Sequence, residues 1–496
     1  MTQNLDGRGS GNSQPVGGPQ PVDLLIRNAY VVTMDPTRRV FADGAVAISD
    51  HCIVDIGATT TLAPKFIPTR TIDAAGGLVH PGFVECHTHA TYHIERGAFG
   101  DTISYEELTP WFDVPYLNAV DDDAENAAAM LSSLEMVGNG TTCFLEAGTA
   151  YEPSAVADAA NAVGIRGLVA DPWLWDVSDN SDGYNALPLS RAPVSTDRAL
   201  ALLGKELQRN SHPDALVGAH VAIQGMGTAS DELEIAAKQT ADAAGTILNQ
   251  HQSYYQVDVE TDDRRYGKHA LVHLGEIGVL GQNCTFAHMN MIRDDEVDLI
   301  LQSGLSMVWC PAGSMLWGVG GTMTGRHAEL YKRGVNVALG SDSANWSNSF
   351  DLGIQGYLAV LTARERYSDR TVLVAEDALA MATVNGARAA GLNDRIGSLE
   401  VGKRADLVIR ANDVPEAFPL TDPVSNLVFS ARSKTVHTVV IDGRIVFEGR
   451  QSTMVDREEV FAAVQTSVAR VFDRMGYRFD PKWPALRAQA QGADLP

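Results

Sequence analysis

Cysteine is scarce in this chain: its 496 residues include five, Cys52, Cys86, Cys143, Cys284 and Cys310, scattered and never spaced as Cys-x-x-Cys. An odd number at such spacing argues against a disulfide framework and a cysteine-built zinc site, and fits a reducing, cytoplasmic setting. Basic residues are also short, with 38 Lys and Arg against 62 Asp and Glu, a net charge of −24. That balance repels phosphate backbones, and no basic cluster offsets it, so nucleic acid is not an expected partner. No stretch approaches the roughly 18 consecutive apolar residues of a bilayer span, and no membrane association is expected. No period of about 20 to 50 residues recurs, which excludes a solenoid or propeller. The opening MTQNLDGRGSGNSQPVGGPQ lacks the basic start and apolar run of a secretory signal. Its Gly, Ser, Asn, Gln and Pro predict a disordered tail over residues 1–20.

What is present is a change of texture along the chain. DLLIRNAYVVTMD and GAVAISDHCIVDIG alternate apolar and polar residues around turn formers, and the same pattern returns in ADLVIRAND and TVHTVVIDGRIVFEG, where Asp442-Gly443 suits a two-residue hairpin turn. Residues 21–79 and 395–450 are therefore expected to build one small β-sandwich domain from both chain ends. Between them, residues 80–394 alternate short apolar runs with helical segments, the mark of βα units around a parallel sheet. Asp121 to Asn126 opens one such helix with acidic residues, Met130, Leu131, Leu134 and Val137 share a face, and Gly138 and Gly140 stop it. Eight strands can be counted: GLVHPGFVECH, TTCFLEA, IRGLVADPW, ALVGAHVAI, TILNQH, CTFAH, LSMVWCP and VNVALGSD. The fold class predicted is α/β, a (β/α)₈ TIM barrel with a small β-sandwich domain. Residues 451–496 form a C-terminal helical extension, with one helix from Asp456 to Met475 and an interface as its expected contact.

In such barrels chemistry lies at the C-terminal ends of the strands. His87 and His89 end the first strand, where alternation points both imidazoles to one side, and neutral imidazole is a common ligand for zinc. His251, His288 and Asp342 end strands five, six and eight. Singly each reads as well another way, His288 as a satisfied buried histidine and Asp342 as a helix N-cap. Together they supply nitrogen and oxygen ligands converging on one mouth.

With these pieces, PGFVECHTHA, GNGTT, the strand ending at His251, TFAHMN, CPAGSM, GVNVALGSDSANWS and GSLEVGKRADLVI, the chain resembles the amidohydrolase superfamily in its cytosine deaminase-like and triazine hydrolase-like branch. The resemblance implies a single divalent metal held by His87, His89, His251 and Asp342, with His288 beside it as a catalytic and substrate-orienting group. Zinc is the expected ion, and cobalt, iron or manganese suit the same ligands. No lysine stands in strand four, so the bridging carbamylated lysine of the two-metal branch is absent. The resemblance also favours a homodimer or larger homo-oligomer.

A metal of this kind makes water nucleophilic at neutral pH. Asp342 is the expected general base and His288 the group that polarises the substrate. Deaminases of the branch carry a glutamate three residues after the strand-five histidine, and Tyr254 stands there, with Gln252 and Asp258 as other substitutes. A heterocycle must be protonated on a ring nitrogen before ammonia leaves, whereas an acyl carbon needs only its carbonyl polarised. This shifts the expected reaction to C–N cleavage in an amide, urea, carbamate or thiocarbamate, including xenobiotics such as phenylurea herbicides. Trp111, Trp173, Trp175, Trp309, Trp317 and Trp346 fall in loops or strand ends on the expected mouth side, predicting an aromatic-lined pocket for a small apolar substrate. Substrate contacts are therefore expected from His288, Gln252, Tyr254, Trp111, Trp173, Trp309 and Trp346. Deamination or dechlorination of an s-triazine, purine or pyrimidine-like ring is the alternative reaction, and a non-catalytic metal-binding homologue the alternative of another class.

Overall fold

The computed structural model describes residues 18–99, 103–177, 189–191 and 195–478. The polar tail falls outside the described residues up to position 17, and Gln20 already opens a strand.

Eight parallel strands close a barrel: Phe83–His89, Thr141–Glu146, Arg166–Val169, Val217–Ala219 continued by Val221–Gly225, Leu248–Gln252, Cys284–His288, Ser306–Trp309, and Asn336–Leu339 continued by Asp342–Ser343. Strands four and eight are each broken, and the break lets one strand serve two neighbours. Val217–Ala219 pairs with strand three and Val221–Gly225 with strand five. Asn336–Leu339 pairs with strand seven, while Asp342 and Ser343 pair with Thr88 and His89 of strand one and close the ring.

The first strand is shorter than the run from Gly77 to His87 suggests. Leu78–Pro81 belongs to the small domain, where it pairs with Leu407–Arg410, and the barrel strand starts at Phe83. Gly82 marks the division because the chain there presses on strand two: a Cβ at Gly82 would sit 2.0 Å from Thr142 Oγ1. The small domain is a nine-stranded sheet drawn from both chain ends and branched at Gln20–Val32, which pairs with both Phe66–Asp73 and Leu78–Pro81 along one edge. Leu24, Ile26, Val46, Ile48, Leu407, Ile409 and Val440 share its core, the inward half of the alternation visible in the sequence.

The helix Asp122–Gly138 is capped by Asp121, whose carboxylate accepts from Ala124 N at 3.0 Å. Its buried face differs from the expected one. Ala124, Ala128, Ser132 and Met136 are buried against the barrel, and Met130, Leu131 and Leu134 are only half-buried, lining clefts beside the C-terminal helix. Small residues let the helix approach closely. Arg457–Met475 lies on this helix with Arg470 and Arg474 paired to Asp121 at 2.7 and 2.6 Å, and Val471 is buried in an aromatic cluster with Phe112, Tyr116, Trp173 and Trp175. The C-terminal helix thus covers its own barrel. Two helices, Ala375–Ala382 and Val384–Ala389, follow the last barrel strand's helix and are bent apart at Thr383. Among the described residues no helix is long and apolar enough to cross a membrane.

Candidate metal centre and active site

Alternation along the first strand sends Val84 and Cys86 against the helix Val384–Ala389 and leaves Glu85, His87 and His89 on the other side. His251, His288 and Asp342 end strands five, six and eight around the same point. The ring centres of His87 lie 5.0, 4.7 and 4.8 Å from those of His89, His251 and His288. Asp342 Oδ1 is 3.3 Å from His89 Nε2 and 3.8 Å from His87 Nε2, and Oδ2 is 3.9 Å from His288 Nε2. His288 and Asp342 hold positive φ, +70° and +67°, a region that non-glycine residues rarely occupy, so the fold spends backbone strain to aim both side chains.

The donor set fits a metal ion, and hydrogen bonding shows why. His251 Nδ1 lies 3.0 Å from the Gln224 carbonyl, which can only accept, so that nitrogen carries the proton and Nε2 is a bare lone pair. Thr149 donates its hydroxyl to Glu146 and so accepts from His89 Nδ1 at 2.6 Å, leaving His89 Nε2 bare as well. These two lone pairs face each other at 3.2 Å, in a site where His89 and His251 are both buried. Two imidazoles bound at about 2.0–2.1 Å to a tetrahedral zinc would stand at about that separation. Neither nitrogen of the fully buried His87, nor Oδ2 of Asp342, has a hydrogen-bond partner among the described residues. A cation would take one nitrogen of His87 together with the bare Nε2 lone pairs of His89 and His251. Burial, followed by the neighbouring imidazoles, holds His87 and His251 well below the usual histidine range and His288 down to about 3, so each offers a neutral ring. Glu85, pushed up to about 7 by burial, accepts from the backbones of His87 at 3.1 Å and Ser341 at 2.8 Å and ties strand one to strand eight. At the break in strand four His220 is buried, with neither ring nitrogen partnered among the described residues.

The amidohydrolase family profile matches residues 78–446. This chain belongs to the amidohydrolase family. Among its relatives, a 5-methylthioadenosine/S-adenosylhomocysteine deaminase of Syntrophobacter fumaroxidans is 33% identical over 448 residues, 90% of this chain and 98% of that one. A 5'-deoxyadenosine deaminase of Methanosarcina mazei is 29% identical over 91% of this chain and 99% of its own. Of solved structures, an adenosine deaminase from Xanthomonas campestris with bound zinc is 28% identical, with a TM-score of 0.84 over 92% of this chain and all of that one. A triazine hydrolase at 21% identity, with a TM-score of 0.81 over 90% of this chain and 99% of its own, shares the fold. The amidohydrolase is thus a metal-dependent hydrolase.

Its pocket opens on His89, His251, His288 and Asp342. Trp173, Trp346 and Tyr254 line it. Trp346 Nε1 donates to the Tyr254 hydroxyl at 2.6 Å, and the Tyr254 ring sits 4.5 Å from that of His288. Three expected contacts fall elsewhere. Gln252 points away from the cavity because it follows His251 on a strand, and it bonds to Gln250 and Ser253 instead. Trp309 is buried in the barrel's main apolar cluster, stacked on His327 at 4.8 Å. Trp111 is half exposed against Phe112 and Tyr477. Trp175 is also core, and Trp317 stacks on Trp346 at 4.3 Å without lining the pocket. Asp258 caps a helix through the Tyr255 N–H rather than replacing the missing glutamate.

The sequence reading missed Tyr92, Thr149, Gln224, Met226, Ser343 and Asn345 in the wall. Ser343 and Asn345 had a local signal, since they follow Asp342 by one and three residues. Tyr92, three residues beyond His89 and stacked on it at 5.3 Å, had one too.

Proposed function

We propose that this amidohydrolase removes an amino group hydrolytically from a planar N-heterocycle, with 6-aminopurine nucleosides as the first class to try. One observation carries the reading: a pocket walled by Tyr92, Trp173, Tyr254 and Trp346 opens directly on His288 and Asp342, in a chain similar over nine-tenths of its length to deaminases named for adenosine-type substrates. Flat aromatic walls suit a flat ring.

His87, His89, His251 and Asp342 would hold the metal, with zinc favoured by the zinc-bound neighbour. Such an ion, when bound, supplies water ionised near neutral pH and polarises the carbon under attack. Asp342 keeps Oδ2 unshared for the proton of the attacking water. His288, neutral and locked by the His327 ring at its carbonyl (2.7 Å), orients the substrate over that carboxylate. Tyr254 takes the place of the usual glutamate. Burial, followed by the charge of Asp342, raises its phenol well above the ordinary range, so it stays protonated. Because its oxygen accepts from Trp346, its hydrogen is directed to another acceptor, and a ring nitrogen of the substrate is the acceptor we assign.

The same phenol favours a second reading, C–N cleavage at a carbonyl, which needs a hydrogen bond to oxygen but no transfer of a proton to a ring. A panel of 5'-methylthioadenosine, S-adenosylhomocysteine, adenosine, an aminotriazine and a phenylurea, assayed on zinc-loaded enzyme with product identification, separates the two. Ammonia from the heterocyclic amines is the expected result; release of an aniline from the phenylurea alone overturns it. Asp342→Asn should abolish turnover with the fold retained.

A further inference from the structure

The 3₁₀ turn Ala90–Glu95 leads from the metal-ligating strand to Glu95, whose carboxyl is buried and lies outside the pocket lining. Beside it is the buried carboxyl of Asp113, from the helical turn Thr109–Asp113. Among the described residues neither makes an ion pair with a basic side chain, and the titratable groups around them are the phenols of Tyr92 and Tyr116, with Tyr151 next to those two. Glu95 Oε2 accepts from the Asn345 amide, and the Asn345 carbonyl accepts from the Ser343 hydroxyl. Asn345 and Ser343 do line the pocket, and Ser343 directly follows Asp342.

We propose that Glu95 is a positioning residue which, backed by Asp113, fixes the orientation of the Asn345 amide and the Ser343 hydroxyl and so sets the hydrogen-bonding polarity of the pocket wall next to Asp342. An asparagine amide is nearly symmetric in shape, and only its partners decide which end is nitrogen. With Glu95 Oε2 as acceptor, Asn345 must present N–H to it and oxygen to Ser343. The second Asn345 N–H and the lone pairs of Ser343 Oγ then remain for a substrate. Reversing the amide would reverse both, turning Ser343 into a donor.

Asp113 explains how a buried carboxyl stays an acceptor on that side. Burial, then mutual repulsion, pushes Glu95 well above the usual carboxylate range, and burial pushes Asp113 up to about 7. Two carboxyls in so dry a place retain a proton between them near neutrality. Glutamine at position 95 would keep a neutral side chain whose carbonyl can accept from Asn345.

The inference deepens the deaminase reading, which supplies the substrate for its kinetic test. In zinc-loaded, full-length enzyme turning over 5'-methylthioadenosine, Glu95→Leu should raise KM at least tenfold with kcat within threefold and zinc content unchanged. Glu95→Gln should return KM to within threefold of the parent. An unchanged KM in Glu95→Leu, or a Glu95→Gln variant as impaired as Glu95→Leu, overturns the proposal. A substrate-free measurement stands beside these: the infrared difference between parent and Glu95→Gln at pH 7.5 should contain one protonated-carboxyl band, and its absence overturns the proposal even if Glu95→Leu does not fold. Failure of the deaminase reading shows as no ammonia in the panel and leaves the infrared result to decide this one.

Discussion

His89 Nε2 and His251 Nε2 face each other at 3.2 Å with the opposite nitrogen of each ring already committed, His89 to Thr149 and His251 to the Gln224 carbonyl. The tautomers are set by the protein before any ion arrives. Thr149→Val removes the hydroxyl that fixes His89 while leaving every proposed ligand in place. Zinc affinity, measured by competition with a chelator, should fall about 10–100-fold. Unchanged affinity would mean that Thr149 does not govern the ring.

Tyr254→Phe removes one hydroxyl and keeps the ring against His288. If the phenol hydrogen-bonds the reacting ring, kcat/KM should drop roughly 10²-fold or more, with zinc content unaffected. A change confined to KM would reduce Tyr254 to a wall residue.

The tryptophans divide by position. Trp173 lines the pocket and donates to Gln224 Oε1 at 2.6 Å, so Trp173→Phe should raise KM by breaking that bond. Trp111 is 52% exposed and away from the cavity, so Trp111→Ala should leave KM within experimental error. Steady-state kinetics on the two variants check both statements.

Stability should fall as pH rises through neutrality. Burial, then the charge of Asp262, lifts Glu234 to about 8, and burial lifts Asp258 to about 8 and Asp262 to about 7. Between the ordinary carboxylate range and these values the folded state binds more protons than the unfolded one, so unfolding free energy declines with pH across that window. Glu234→Gln should therefore raise Tm by a few °C at pH 8.5 and by clearly less at pH 5.5. Equal effects at both pH values would count against a protonated Glu234.

Much of this was legible in the sequence because it is local. Apolar runs and turn residues marked the eight strands, and strand-end positions marked His87, His89, His251, His288 and Asp342. Gln252 shows a local rule left unused: with His251 facing inward, the period of two sends its neighbour outward. Trp111 and Trp309 show a different limit, since a loop or strand-end indole carries no sign of whether it faces a cavity or a core.

The sequence by itself determined the barrel, the small domain drawn from both ends and the polar strand ends that meet at the candidate metal centre, because strand periodicity and turn chemistry are written within a few positions. Only the tertiary structure decided which aromatics wall the pocket, that Gly82 divides the domains and that Glu95 reaches Asn345 across 250 positions. Those relationships depend on which surfaces meet when the ring closes through Asp342 and His89, and no spacing along the chain encodes that meeting.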